Sequence, residues 1–166
     1  MLKLAQLSRA VFSPEPVNLS AICQELLNTL CQAEPGRAVD VKVAPAVTVL
    51  GDESLLKIVM ANLINNAWKY SSRTGQGRIE FGIMTDGPPP VYFVRDNGTG
   101  FDMKDADKLF RVFTRLHDPT MFSGSGIGLA TVQRIVTRHG GRIWAEGAVG
   151  HGATFFFTLA PDVQPV

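Results

Sequence analysis

A run of polar side chains on one face of a predicted helix is the first candidate for chemistry. Asn62, Asn66 and Lys69 follow one another at intervals of four and three residues, so an α-helix places them on the same side. Asparagine is a mediocre helix former, and helix stability therefore does not explain its presence there. An asparagine carbonyl is a hard oxygen ligand suited to Mg²⁺, and Lys69 can meet phosphates as a point charge. A solvated polar face is the alternative, but the surrounding run ANLINNAWKYSS is largely apolar and predicts a helix in the core layer.

A second candidate is the run DNGTG at 96–100, which comes directly after the predicted strand VYFVR. Glycine at the end of a strand allows close backbone approach to a ligand, and the Asp96 carboxylate can accept a hydrogen bond from an exocyclic amine. The same residues are good turn formers. This run alone therefore leaves an ordinary turn between strand and loop as an open alternative.

The third candidate is the glycine-rich run GSGIGLA at 124–130, which opens another predicted helix. Free N–H groups at the start of a helix bind phosphate, and glycines let the ligand come close. No Lys-Ser/Thr pair follows the glycines, which excludes a P-loop, and the GxGxG spacing without a preceding strand excludes the dinucleotide fingerprint. The HRD and DFG elements of protein kinases are missing as well. The run predicts a phosphate-bearing ligand on a different scaffold.

The elements that must position these residues alternate between helices and short strands. Apolar spacing predicts helices over 18–30, 52–71 and 127–138, with Asp52 as the N-cap of the second, and the end of an amphipathic helix over 1–10. Strands are predicted over 39–43, 47–50, 78–84, 91–95, 142–146 and 154–159. The first two of these strands are expected to pair with each other. The segment 96–125 has little periodicity and is predicted to be a functional lid. This order favours a two-layer α/β sandwich with a mixed sheet over a doubly wound parallel sheet.

Length and composition define the class of protein. The 166 residues are 45% hydrophobic, which predicts one domain whose core needs neither disulfides nor a structural metal. Sixteen Lys and Arg against fifteen Asp and Glu give a net charge of +1, which argues against nucleic acid and membrane surfaces as partners. Cys23 and Cys31 are interpreted as small buried residues on one helix. No signal peptide or run of about 20 apolar residues is present, so the cytoplasm is the expected compartment.

The three runs, in this order and at this spacing, resemble the N, G1 and G2 boxes of the ATP-binding catalytic domain of bacterial sensor histidine kinases. The run LFRVFTR at 109–115 is similar to the F box of that family, and RHGGRIWAE at 138–146 is similar to the ending of its phytochrome-like branch. The resemblance implies the Bergerat, or GHKL, fold. In that fold a mixed, mostly antiparallel sheet packs on about three helices, and ATP lies between this sandwich and a long mobile lid.

The resemblance also implies a role for each matching residue. Asn66 matches the Mg²⁺ ligand, and Asn62 lines the same face nearer the base and ribose. Lys69 and Tyr70 match residues that reach the phosphates and flank the nucleotide. Asp96 matches the carboxylate that accepts the adenine amino proton. Ala153 departs from the family, which often has a small hydroxyl residue at this position, and the change weakens a water-mediated contact beside Asp96.

The lid residues complete the implied ATP site. Gly98 and Gly100 start the lid, and Gly124, Gly126 and Gly128 end it, followed by Leu129 at the nucleotide. Arg115 is similar to the lid arginine that can approach the γ-phosphate. Phe110 and Phe113 are expected to anchor the lid by packing.

The implied function is to bind ATP with Mg²⁺ and to supply the γ-phosphate to a histidine in a two-component system. Residues 1–14 resemble the end of the preceding helix, which belongs to the dimerisation and histidine-phosphotransfer domain, together with its linker. Residues 15–162 resemble the catalytic domain. The implied partners are this histidine-bearing dimerisation domain and the receiver domain of a response regulator. His117, His139 and His151 all lie after the N box, so the chain is expected to lack the acceptor histidine and to be unable to phosphorylate itself. The resemblance also implies that dimerisation comes mainly from the hairpin that carries this histidine, so the isolated domain is expected to be monomeric.

Two other functions remain open for the same motifs. The related hydrolysing ATPases have a glutamate where this chain has Asn62, and an asparagine cannot act as the general base for water. A slow ATPase of the same fold is therefore the less favoured alternative. The other alternative is a regulatory docking module that binds nucleotide without catalysis.

Overall fold

The computed structural model describes residues 11–111 and 128–160. Within these ranges the chain forms seven strands, three α-helices and one 3-10 helix. In chain order they are β1 (Glu15–Asn18), α1 (Leu19–Ala33), β2 (Val39–Val43), β3 (Thr48–Gly51), α2 (Glu53–Tyr70), β4 (Gly77–Met84), β5 (Val91–Asp96), the 3-10 helix (Met103–Lys108), α3 (Gly128–Arg138), β6 (Ile143–Ala148) and β7 (Gly152–Phe157). None of these described helices combines the length and hydrophobicity that a membrane crossing requires. The helix predicted over 1–10 lies outside the described residues.

The main sheet has five strands in the order β2-β4-β5-β7-β6. β2 runs parallel to β4, and the other three pairs are antiparallel. A separate two-stranded sheet pairs β1 with β3. The helices pack on one face of the main sheet, which confirms the predicted two-layer α/β sandwich with a mixed, mostly antiparallel sheet.

The predicted pairing of the strands over 39–43 and 47–50 is wrong. β2 pairs with β4, and β3 pairs with β1, a strand that the prolines around it concealed in the sequence. The Ser20 hydroxyl on α1 donates to Ala44 O at 2.6 Å and accepts from Val47 N at 2.8 Å. These bonds attach both ends of the connection between the two strands to α1. Pro16 is tolerated in β1 because the strand belongs to a two-stranded ribbon, where one edge needs no ladder.

α2 is the central helix and carries the residues of the first candidate. The Asp52 side chain accepts a hydrogen bond from Leu55 N at 3.1 Å, which confirms the predicted N-cap. The predicted apolar stripe of Leu56, Val59, Met60, Leu63 and Ala67 is buried throughout. Burial of each large side chain contributes roughly 1.5–3 kcal/mol, so this stripe holds the helix firmly on the sheet.

The two cysteines differ, which corrects the expectation that both are buried. Cys23 is fully buried on α1, whereas Cys31 is exposed on the same helix. Eight residues of α-helix turn the chain by about 80° beyond two full turns, which moves Cys31 off the buried face. Burial raises the pKa of the Cys23 thiol to about 12, so it behaves as a small apolar residue.

Candidate functional site

The polar face of α2 is half-buried, as its position in the core layer predicts. Asn62, Asn66, Lys69 and Tyr70 are all of intermediate exposure, whereas Asn65 on the outer side is exposed. The Asn62 amide nitrogen donates to Ile58 O at 2.8 Å, which turns its oxygen away from the helix backbone. Lys69 Nζ lies 4.8 Å from the centre of the Tyr70 ring. The polar face of α2 therefore presents amide oxygens and one ammonium group in a partly desolvated environment.

Asn66 is the least engaged amide on this face. Its side chain has no hydrogen-bond partner within the part of the chain that the structure describes. Half-buried amides usually find a protein or water partner. Asn66 therefore keeps its oxygen available for a ligand.

Asp96 ends β5 as a buried carboxylate, only 7% exposed. One of its oxygens accepts from Gly98 N at 2.8 Å, and no cation pairs with it among the described residues. Burial raises the pKa of the Asp96 carboxyl from 3.8 to about 6, while the backbone N–H groups of Gly98 and Ala153 act in the opposite direction. A buried carboxylate without a counter-ion is suited to accept a hydrogen bond from a neutral donor such as an amine.

The loop after Asp96 is attached to α2. Thr99 N donates to Tyr70 O at 3.1 Å. A Cβ at Gly98 would collide with the same carbonyl of Tyr70, so only glycine permits this contact. The structure thereby brings the second candidate against the end of the first.

The other side of this loop rests on the turn between β6 and β7. Gly150 N donates to Thr99 O at 2.8 Å. Gly100 has a φ of +64°, and a Cβ there would strike Ala148 O. This turn is not among the site residues predicted from the sequence. The signal available was the run GHG at 150–152, whose two glycines both have positive φ.

The third candidate reaches α2 through its last glycine. A Cβ on Gly128, the first residue of α3, would lie 2.6 Å from the Asn62 amide oxygen. Leu129 is half-buried and packs against the core. The structure therefore places the start of α3 directly over the amide face of α2.

The remaining lid positions divide into two groups. Phe110 packs edge-on against Phe155, with ring centres 6.4 Å apart, as expected of an anchor. Phe113, Arg115, Gly124 and Gly126 lie outside the described residues, as does His117.

Comparisons with known proteins show the family to which the chain is similar. A family model described as histidine kinase-, DNA gyrase B-, and HSP90-like ATPase matches residues 51–163. The chain is 36% identical to cyanobacterial phytochrome B of Nostoc sp. over 162 residues, covering 96% of this chain and 21% of that protein. It is 37% identical to the methanogenesis regulatory histidine kinase FilI of Methanothrix harundinacea over 161 residues, covering 95% and 18%. The chain thus spans about a fifth of the length of these curated relatives.

Solved structures show the same likeness. The mycobacterial sensor histidine kinase MprB superposes with a TM-score of 0.73 at 27% identity, covering 87% of this chain and 97% of that one. Full-length ShkA in complex with AMPPNP superposes with a TM-score of 0.75 at 25% identity, covering 99% of this chain and 35% of that one.

Proposed function

Because the chain belongs to the family of histidine kinase-, DNA gyrase B- and HSP90-like ATPases, we propose that it is the ATP-binding catalytic domain of a two-component histidine kinase. In this proposal it binds ATP with Mg²⁺ and supplies the γ-phosphate to a histidine on a dimerisation domain of the same protein. The observation that carries the proposal is the convergence of three separate segments. The Asp96 loop contacts α2 at Tyr70, and the glycine start of α3 contacts the same helix at Asn62.

The base end of the site is assigned to Asp96. Its carboxylate is buried without a cationic partner among the described residues, and Gly98 N orients one oxygen. The adenine amino group donates to this carboxylate. Because the carboxylate is buried, this hydrogen bond is stronger than it would be at the surface. Tyr70 flanks the nucleotide from the end of α2.

The phosphate end is assigned to Asn66, Lys69 and the lid. The Asn66 amide oxygen would hold Mg²⁺, and Asn62 lies beside it on α2 next to Gly128. Among the described residues, no cluster of three or more His, Cys, Asp or Glu could hold a metal by protein ligands alone. A site with one amide ligand fits Mg²⁺, which shares its coordination with substrate phosphates and neutralises their charge. Lys69 and, from the lid, Arg115, Gly124 and Gly126 complete the phosphate contacts.

The absence of a carboxylate at position 62 favours transfer over hydrolysis. Asn62 donates its amide N–H to Ile58 O, and an amide cannot take a proton from water. The described residues of α2's inward face include no acidic side chain. Catalysis then consists of holding the γ-phosphate in line with an acceptor that another segment brings.

The proposal also includes the phosphate acceptor and the partner domains. Residues 1–14 connect to the histidine-bearing dimerisation domain, and residues 15–162 form the catalytic domain. The phosphate passes from the histidine to the receiver domain of a response regulator. The isolated chain is a monomer that does not phosphorylate itself.

The test is calorimetric titration of the purified domain with ATP in Mg²⁺, followed by addition of a helical hairpin carrying the acceptor histidine. We expect saturable binding and acid-labile phosphate on the hairpin. Binding without any transfer would identify a regulatory docking module. Steady phosphate release by the domain alone would identify an ATPase, and no binding would reject the proposal.

A further inference from the structure

The Thr99 hydroxyl has no function in the site as described so far. It is shielded from solvent and has no hydrogen-bond partner, and among the described residues no other buried side-chain oxygen or nitrogen shares this condition. A buried hydroxyl that finds no partner destabilises the folded state. Such a group is expected where a partner is present only in the working state.

Thr99 itself is held in place from both sides. Its backbone N–H donates to Tyr70 O at 3.1 Å, and its carbonyl accepts from Gly150 N at 2.8 Å. Both backbone groups are therefore satisfied, and the side chain is the unsatisfied part. The backbone that carries the hydroxyl is held before any ligand arrives, which reduces the entropic cost of a contact to this side chain.

The position of Thr99 links it to the buried carboxylate. Thr99 lies three positions after Asp96, and Gly98 between them donates to the Asp96 carboxylate at 2.8 Å. Across the sheet, Asp96 pairs with Ala153, whose side chain offers no hydrogen-bonding group. Two other hydroxyls near this loop are already engaged, since Thr74 donates to Asn97 O and Thr154 accepts from Arg95.

We propose that Thr99 is a positioning residue for the nucleotide, with its hydroxyl hydrogen-bonded to the purine base directly or through one water molecule beside Asp96. The inference rests on the proposed function, because it assumes that the site binds ATP. A hydroxyl can donate and accept at once. It can therefore serve a ring nitrogen or a bridging water, as the alanine at position 153 cannot.

The decisive variant is Thr99→Val, which removes the hydroxyl and keeps the branched shape. We expect the Kd for ATP and for ADP to rise by about 3- to 10-fold, the range of one lost neutral hydrogen bond. The loss should be equal for the two nucleotides because they share the base. In the absence of nucleotide, the thermal midpoint should stay unchanged or rise, because a buried hydroxyl without a partner has been removed.

Two further variants separate a ligand contact from a structural effect. Thr99→Ser keeps the hydroxyl and should bind ATP within about twofold of the wild type. Thr158→Val removes a hydroxyl that accepts from Arg142 N at 3.1 Å outside the proposed site. This matched control should lower the thermal midpoint and leave the ATP affinity unchanged.

The outcomes distinguish this inference from the proposed function. If Thr99→Val binds ATP as tightly as the wild type, the inference is wrong while the proposed function stands. If Thr99→Ser, which keeps the hydroxyl, loses as much affinity as Thr99→Val, the loss reflects a disturbed loop and the hydroxyl contact is rejected. A wild-type domain that binds neither ATP nor ADP overturns the proposed function and this inference with it.

Discussion

The buried carboxylate of Asp96 favours ligand binding but destabilises the free protein. Its carboxylate is buried without a cation among the described residues, which suits a neutral donor from a ligand but penalises the ionised form in the free protein. The shift of its pKa from 3.8 to about 6 corresponds to roughly 3 kcal/mol of lost stability at neutral pH. The site therefore carries an energetic cost that a ligand can offset.

Asp96→Asn should raise the stability of the free protein while it weakens ATP binding. The amide keeps an acceptor for Gly98 N and removes the buried charge, so we expect the free energy of unfolding at pH 7.5 to rise by up to about 3 kcal/mol. ATP binding should fall below detection by calorimetry, because the amide no longer provides a charged acceptor for the adenine amino group. Asp86→Asn, in the exposed turn between β4 and β5, is the control that should change neither quantity. Retained ATP affinity in Asp96→Asn would remove Asp96 from the base site.

The role of Asn66 as the Mg²⁺ ligand can be tested separately. Asn66→Ala should weaken ATP binding about tenfold in Mg²⁺, equivalent to about 1.4 kcal/mol, and by no more than about twofold in EDTA. Asn65→Ala, one residue away on the exposed side of α2, provides the matched control and should be neutral in both buffers. Equal losses in Mg²⁺ and EDTA would show that Asn66 contacts the nucleotide and not the ion.

At the scale of elements, the site depends on how closely the loop after β5 approaches the end of α2. Thr99 N donates to Tyr70 O, and Gly98 leaves no room for a side chain between them. The turn between β6 and β7 supports the loop from the other side through Gly150. Helix, strand end and turn thus form one unit around Asp96.

Gly98→Ala should break this unit. The new Cβ would collide with the Tyr70 carbonyl, and relief requires the loop to move away from α2. We expect the free energy of unfolding in urea to fall by more than about 2 kcal/mol, with loss of ATP binding. Gly87→Ala adds the same methyl in an exposed turn where nothing lies within 4 Å, and it should have little effect. Wild-type stability in Gly98→Ala would contradict the described contact.

At the scale of the whole molecule, residues 11–111 and 128–160 place their helices in one layer, and aromatic and arginine side chains line the other face of the sheet. Trp144 stacks on Phe156 with ring centres 5.4 Å apart, and Phe156 lies beside Phe93. Arg142 covers the Trp144 ring and Arg95 the Phe93 ring, at 4.2 and 4.8 Å from their centres. Arginine side chains can shield aromatic surface while their charge stays in water. The outer face of the sheet is therefore an aromatic surface that arginine side chains cover.

The stability of the whole domain should respond to pH through two buried groups of opposite sign. Burial lowers the pKa of His139; the bond to Ile135 O and the Asp52 charge oppose this shift, and Arg138 adds to it. Its folded pKa lies below the unfolded value of 6.5, so stability is full above that pH and is lost as pH falls below it. Asp96 acts inversely, because its folded pKa is raised: stability is lost as pH rises from 3.8 through about 6.

Replacing the Asp96 carboxylate should therefore make the loss of stability caused by His139 at low pH measurable. Between pH 7.5 and 5.5 we expect the thermal midpoint of Asp96→Asn to fall by more than that of the wild type, in which the two groups offset each other. His139 accepts from Asp52 N at 3.0 Å, and its other ring nitrogen lies 2.8 Å from Ile135 O, so protonation would break the first contact. Identical midpoint shifts in the two proteins would contradict this assignment.

The sequence by itself determined the elements and the candidate residues that depend on near neighbours. The N-cap of α2, its buried stripe and the shared face of Asn62, Asn66 and Lys69 all follow from spacing along one helix. Local periodicity is sufficient there because residues one turn apart meet in every α-helix. The order of the motifs also identified the family to which the chain belongs.

Only the tertiary structure decided which segments meet. Ser20 bonds both ends of the connection between β2 and β3, Gly128 lies against Asn62, and Thr99 is held between Tyr70 and Gly150 with an unsatisfied hydroxyl. Each of these contacts joins residues more than twenty positions apart. No local pattern encodes them, because the choice of partner depends on which buried polar groups remain to be satisfied once the whole chain has packed.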